Sequence, residues 1–384
     1  MAGVCRRAAR SGLKPLARRL LLLSGLATVS VVIHHATSWV VTAIVWWADL
    51  YSEARVPDYG WLGTREYFGV RILDQLMIFP VPAFLFVSGY FVSLTAGRTG
   101  SRLTWKTLLT RCLWLVIPYL VWSFIILGMR RVDGTVYGGW EILRKLLNGG
   151  VSGPFYFIPM LIGLYLLAFW LVPLARSRPA ATLGISVVLA VAVTLLRYPL
   201  ILQPGEHVLP RCLQLASNWN LPKYAPWFIG GIVAESNLER FRSMLQRHHR
   251  SIVGGAVLLG VLGLVESEAL RVASGRDWVP ADASLLSGGF ALLLLLSLLA
   301  MDFPESILTE RLRMLGTAAL GIYLMHVPVL EVTARGLYHL APGLLGATAL
   351  LYLILVIAGV GLPVAAMYLV RRTPLRFAYS YLFG

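Results

Sequence analysis

The sequence has little charge and almost no cysteine. Only 14% of its 384 residues are charged, and 18 acidic residues stand against 34 Lys and Arg. Its three cysteines, Cys5, Cys112 and Cys212, lie far apart. This spacing matches no zinc motif and implies no disulfide. The sequence also lacks GxSxG, Walker and HExxH motifs, which removes the common hydrolase, nucleotide-binding and metalloprotease signatures. We therefore expect no metal site.

Apolar residues are abundant, at 58% of the chain. They form recurrent runs of about 20 residues, and a helix of that length crosses a bilayer core of about 30 Å. We predict an all-α fold, a polytopic membrane helix bundle of about ten transmembrane helices. The runs cover 20–42, 72–95, 110–129, 154–175, 180–200, 223–236, 251–266, 284–301, 315–334 and 343–370.

The net charge of +16 does not indicate nucleic-acid binding, because most of the 34 basic residues lie in short loops on one side of the predicted spans. The positive-inside rule then places both termini in the cytoplasm. We predict a basic cytoplasmic tail at 1–19, one membrane domain at 20–370 and a short cytoplasmic tail at 371–384. No internal repeat is evident. The lipid bilayer is the expected partner, and the oligomeric state stays open.

A pair of histidines, His34 and His35, lies inside the first apolar run. Ionisable side chains at bilayer depth are costly, so they commonly mark a functional site facing the bundle. One interpretation is a site that handles protons or acyl groups. The other is a hydrated polar pair at the outer mouth of the helix.

The second and ninth runs also contain polar or helix-weakening residues. The second run carries Asp74 near its outer end, followed by Pro80, Pro82 and Gly89. Broken helices at membrane depth survive where they are buried in protein or line a cavity, so this run points to a site. His326 lies in the middle of the ninth run, where it is either a packing residue or a second histidine of the site.

Four basic residues cluster in the loop after the second run and at the start of the third: Arg98, Arg102, Lys106 and Arg111. They are either ordinary cytoplasmic positive charges or a clamp for the phosphates of a cytosolic donor, because guanidinium groups bind phosphate through two parallel hydrogen bonds.

Five fragments in order resemble the acyltransferase-3 family of membrane acyltransferases. The resemblance covers about 20–370 and places the family's histidines on His35 and His326. It departs in two places, since Ser24 stands where the first-span arginine is typical and Trp114 stands where a second basic residue is typical. The fragments are SGLATVSVVIHHA from Ser24, FLFVSGYF, Arg111 followed by IPYLVWS, GPFYFIPMLIGLYLL and LGTAALGIYLMH.

The resemblance implies a membrane-embedded O-acyltransferase that moves an acyl group, commonly acetyl from acetyl-CoA, to a hydroxyl of a sugar, glycan or lipid-linked saccharide. His35 would act as general base or as nucleophile, and His34 would orient it or relay protons. Acyl-CoA would be a co-substrate rather than a bound cofactor. The resemblance and composition together favour the inner membrane of a bacterium and O-acetylation of a cell-envelope polysaccharide.

The resemblance also implies roles for the remaining site residues. The basic cluster of Arg98, Arg102, Lys106 and Arg111 would hold the donor phosphates, and His326 would join the catalytic histidines. The substrate tunnel would be shaped by Ser88, Gly89, Tyr156, Trp227, Tyr323 and Glu331.

Two other functions remain open from the sequence. A transporter or flippase for a lipid-linked saccharide fits the many spans, the broken helices and an aromatic outer loop, although no repeat supports it. A membrane scaffold that has lost catalysis fits the departures at Ser24 and Trp114.

Overall fold

The computed structural model describes residues 15–45, 47, 62–98, 103–203 and 220–384, and every regular element in these ranges is a helix. A 3₁₀ turn at Gly153–Tyr156 precedes the sixth helix. The first seven helices are α1 (Pro15–Val45), α2 (Arg65–Leu76), α3 (Pro80–Arg98), α4 (Trp105–Val132), α5 (Gly139–Asn148), α6 (Phe157–Ser177) and α7 (Pro179–Leu202).

The second half of the described chain is equally helical. A short helix, α15 (Tyr379–Phe383), ends it. The other helices are α8 (Asn220–Ser236), α9 (Leu238–Arg247), α10 (His249–Ser274), α11 (Leu285–Ala300), α12 (Ile307–Thr317), α13 (Ala319–Leu340) and α14 (Thr348–Arg372).

Within the described residues, seven helical stretches are long and apolar enough to cross a bilayer, and the pair α12 and α13, bent by 82°, adds an eighth. Two further predicted spans coincide with α8, of 17 residues, and α11, of 16 residues. These helices are shorter than the roughly 20 residues that a span normally needs. The all-α membrane bundle is confirmed, whereas the count of ten and the cytoplasmic termini stay predictions.

The second predicted run is interrupted, as its prolines indicated. Helix α2 ends at Leu76 and α3 begins at Pro80, because proline fits the first turn of a helix, where its missing N–H is not needed. Gly89 does not interrupt α3.

The chain folds into two compact units. The first comprises Met1–Met77, Arg111–Pro159 and Glu310–Gly384, and the second comprises Ile78–Thr110 and Met160–Thr309.

In the first unit, α1 packs against α13 and α14, which also pack on each other. The backbone of α1 also approaches α12 closely. A Cβ atom on Gly25 would lie 1.8 Å from the carbonyl oxygen of Leu312, and one on Gly316 would lie 2.2 Å from that of Leu21. Only glycine permits this approach, which is a common way for membrane helices to pack.

In the second unit, α3 packs along α8, α10 packs along α11, and α7 also contacts α8. Two glycines bring α3 and α8 together. A Cβ atom on Gly89 would lie 1.9 Å from the carbonyl oxygen of Phe228, and one on Gly231 would lie 2.0 Å from that of Phe86.

Replacing Gly25 by alanine should therefore destabilise the protein by about 1–3 kcal/mol, the range for overpacking a tight contact. The matched control is Gly128→Ala in α4, where nothing lies within 4 Å of an added Cβ. That variant should be neutral or slightly stabilising, because alanine favours a helix over glycine. Thermal unfolding of the purified proteins in detergent, followed by circular dichroism, would measure both. Equal midpoints for the two variants would show that the contact with Leu312 does not constrain the packing.

Candidate active site

Three histidine rings lie in a row in the first unit. The centroids of His34 and His35 are 5.0 Å apart, in an edge-to-face arrangement. The rings of His35 and His326 are stacked at 5.2 Å. Because α1 packs on α13, the adjacent pair in the first apolar run meets the histidine of the ninth. The structure thus brings together all three residues predicted to be catalytic.

A carboxylate stands at one end of this row. Oδ1 of Asp74, in α2, lies 3.1 Å from Nδ1 of His34, and the Asp74 side chain is only 4% exposed. The sequence alone assigned no role to Asp74. The available signal was an acidic residue at the edge of an apolar run, which is itself an indication of a site. The contact supplies a counter-charge whenever His34 is protonated.

His326 stands at the other end. It is fully buried, and its Nδ1 lies 2.5 Å from the backbone carbonyl oxygen of Tyr323. Since a carbonyl oxygen only accepts hydrogen bonds, Nδ1 must carry a proton. In the neutral ring the lone pair is then on Nε2, which is buried and makes no hydrogen bond within the described part of the chain. This nitrogen has the form of a proton acceptor.

Aromatic side chains surround His326. The ring of Tyr323 lies 5.7 Å from that of His326 and 5.5 Å from that of Phe157. The Tyr323 hydroxyl donates a hydrogen bond to the carbonyl oxygen of Pro154. Pro154 belongs to the same 3₁₀ turn as Tyr156, which is half-buried. Of the residues predicted to shape the tunnel, Tyr323 therefore borders the histidine row and Tyr156 lies on the turn that anchors Tyr323.

Glu331, five residues after His326 on α13, is held in a network of ion pairs. Arg130 of α4 donates two hydrogen bonds to its carboxylate, at 2.5 and 2.7 Å. Nη2 of Arg335 lies 2.9 Å from the same carboxylate, while Nη1 of Arg335 lies 2.9 Å from Asp133. These contacts explain how a carboxylate that is 3% exposed is tolerated. They connect α13 to α4, an arrangement that the predicted tunnel role did not anticipate.

A family model with the description "Acyltransferase domain", that of acyltransferase-3, matches residues 20–368. The chain belongs to the acyltransferase-3 family. No curated protein and no solved structure matches it. The resemblance drawn from five sequence fragments is confirmed, and the protein is a multi-pass membrane acyltransferase.

The acyltransferase has no positive charge at two positions where the family resemblance leads one to expect it. Ser24 is buried, and its hydroxyl donates to the carbonyl oxygen of Leu20 at 2.9 Å. Trp114 is 42% exposed. Arg313 of α12 supplies a buried guanidinium near the part of α1 that contains Ser24. It follows Leu312, whose carbonyl oxygen contacts Gly25. Arg313 is 9% exposed and pairs with Glu310 at 3.1 Å.

The remaining tunnel candidates of the acyltransferase lie in its second unit. Ser88 is 2% exposed, and Gly89 next to it faces the Phe228 carbonyl at the contact of α3 with α8. Trp227 precedes Phe228 and is half-buried. The absence of a side chain at Gly89 thus serves the packing of these two helices.

The structure describes the side chains of two of the four residues in the predicted donor clamp. Lys106 is exposed near the start of α4, and Arg111 is half-buried five residues later. Five residues rotate a helix by about 140°, so these side chains leave α4 in different directions. Arg98 is the last residue of α3, and its side chain is not among those described. Arg102 lies outside the described residues. Their role in binding a donor stays a prediction.

Among the described residues, no group of three or more His, Cys, Asp or Glu side chains is arranged to hold a metal ion. The histidine row offers proton acceptors and donors in an apolar setting.

Glu331→Gln should lower the stability of the acyltransferase by about 1–3 kcal/mol. Removing one partner of a fully buried ion pair costs about 3–5 kcal/mol, and the partial exposure of both arginines reduces that value. Asp133→Asn is the matched control, because its side chain is 32% exposed and an exposed pair contributes about 0–1 kcal/mol. Thermal unfolding in detergent would compare them. An Asp133 variant as unstable as the Glu331 variant would contradict this ranking.

Proposed function

We propose that this acyltransferase transfers an acyl group, most simply acetyl from acetyl-CoA, to a hydroxyl of a sugar, glycan or lipid-linked saccharide. The observation that carries the proposal is the row of three imidazoles with a carboxylate at one end, inside a membrane protein of an acyltransferase family. Ester formation requires that a hydroxyl lose its proton, and neutral imidazole is the side chain best suited to accept it near neutral pH.

His35 occupies the middle of the row and is the residue proposed to act on the acceptor. As general base it takes the proton of the hydroxyl while the oxygen attacks the acyl carbonyl carbon. The carbon–sulfur bond then breaks, and the departing thiolate takes a proton. As nucleophile His35 would instead carry the acyl group for part of the cycle. In either case His326 presents a second lone pair beside it.

The position of His35 along α1 fits transfer away from the donor side. His35 lies about 30 Å from Pro15 and about 15 Å from Val45 along the helix axis. We propose ten spans with both termini in the cytoplasm of a bacterium, so that the basic residues Lys106 and Arg111 receive the CoA phosphates from that side. The acyl group, which is uncharged, then passes to a histidine nearer the outer face.

A scaffold without catalysis is the second candidate. It is favoured by Ser24, whose hydroxyl bonds back to its own helix, and by Trp114, since neither residue supplies a positive charge for a donor.

The test uses inverted membrane vesicles, whose cytoplasmic face is exposed, supplied with radiolabelled acetyl-CoA. The parent should transfer label to a saccharide or lipid-linked saccharide fraction. His35→Ala should reduce the rate by about 100-fold or more, as expected for loss of a general base. His248→Ala, a change at an exposed histidine, is the matched control and should retain the parent rate.

Equal transfer by the parent and His35→Ala at equal expression would exclude the proposed role of His35. An absence of transfer from acetyl-CoA and from longer acyl-CoA donors alike would favour the scaffold.

A further inference from the structure

Asp74 and His34 make a contact that general acid–base catalysis by His35 does not itself require. We propose that they form a proton-holding pair, in which Asp74 is a positioning residue that acts through His34 to stabilise the positive charge arising at His35. This inference rests on the proposed function, because the charge arises when His35 takes the proton of the acceptor hydroxyl.

The burial of Asp74 is the first support. Its side chain is 4% exposed, and one carboxylate oxygen lies 3.1 Å from Nδ1 of His34. A buried carboxylate without compensation is strongly unfavourable, so the carboxylate and the imidazole stabilise one another when His34 is protonated. A histidine that served only to pack would not need a charged partner at this depth.

Charged and polar groups from neighbouring helices lie around the pair. Arg71 lies one helical turn before Asp74 and is 3% exposed. Residues three apart in a helix lie on the same face, so the guanidinium and the carboxylate leave α2 on one side. From α14, the hydroxyl of Tyr352 donates to the carbonyl oxygen of Ile33 at 3.0 Å, next to His34. The ring of His326 of α13 stacks on that of His35 at 5.2 Å.

The two ends of the row therefore differ in kind. At the His326 end, Nδ1–H donates to the Tyr323 carbonyl, which fixes the tautomer of the neutral ring. At the His34 end, the carboxylate of Asp74 lies 3.1 Å from Nδ1 of the imidazole. A positive charge in the row is thus more stable towards Asp74 than towards His326.

The proton inventory of the reaction is balanced by this arrangement. The hydroxyl oxygen gives its proton to His35 as the new carbon–oxygen bond forms, and His34 with Asp74 stabilises or receives that proton. When the carbon–sulfur bond breaks, the thiolate of CoA receives a proton and the row returns to its neutral state. The alcohol and the acyl-thioester thus become an ester and a thiol without a further reactant.

The first test does not depend on activity. The full-length protein, labelled with ¹⁵N-histidine and reconstituted in lipid nanodiscs, would be compared with Asp74→Asn, His34→Asn and the control Glu141→Gln, a change at an exposed carboxylate. At mildly acidic pH the parent and the control should show, besides the signals of exposed histidines such as His248, an imidazolium signal that is missing in His34→Asn. For that signal the ratio of imidazolium to neutral imidazole should fall about tenfold in Asp74→Asn, the change produced by a shift of about one pH unit. An imidazolium signal that is unchanged in Asp74→Asn would overturn the pairing.

The second test uses the acyl-transfer assay. Asp74→Asn should lower the rate by about 10- to 100-fold and shift its pH profile, and Asp74→Glu should restore part of the rate. In a His34→Asn background, Asp74→Asn should cause no further loss of rate, because both changes remove the same Asp74–His34 contact. Losses that multiply in the double variant would show that Asp74 acts independently of His34, which contradicts the inference.

The failures of the two proposals are distinguishable. A parent that transfers label while Asp74→Asn matches its rate and pH profile overturns the inference and leaves the acyltransferase function in place. A parent that shows the Asp74-dependent imidazolium but transfers nothing from any acyl-CoA overturns the proposed reaction, and with it the role of the pair at His35.

Discussion

The packing of α1 against α13 is the contact on which the candidate site depends. It brings His35 onto His326 at a stacking distance of 5.2 Å. The same helix approaches α12 without intervening side chains, because Gly25 and Gly316 leave room for the backbone carbonyls of Leu312 and Leu21. Since packed helices shift as rigid elements, a disturbance at the glycine contact would be transmitted to the histidines further along α1.

Buried polar groups in the first unit are arranged in two distinct ways. Glu331 is held by two arginines, so its charge is neutralised within a network that ties α13 to α4. Asp74 instead contacts a histidine, whose charge depends on protonation. The first arrangement is suited to fixing the position of α13, and the second to storing a proton.

The acyltransferase family membership and the geometry of the site support one another at different levels. The family covers residues 20–368 and assigns the chemistry of acyl transfer. The histidine row places three imidazole rings next to one another inside an apolar protein. The lack of a positive charge at Ser24 sets this chain apart from the pattern it resembles. Arg313, buried on α12, places a guanidinium on a different helix.

The sequence by itself determined the all-helical membrane class and the family, and it predicted a site at the His34–His35 pair, since apolar runs of span length and ionisable residues within them are local properties. Only the tertiary structure decided that His326 stacks on His35, that Asp74 contacts His34 and that Arg130 neutralises Glu331. These partners are far apart in the chain, and helix packing alone determines which faces meet. The break between α2 and α3 was predictable from Pro80, whereas the role of Gly89 was not, because its significance lies in the carbonyl of Phe228 on another helix.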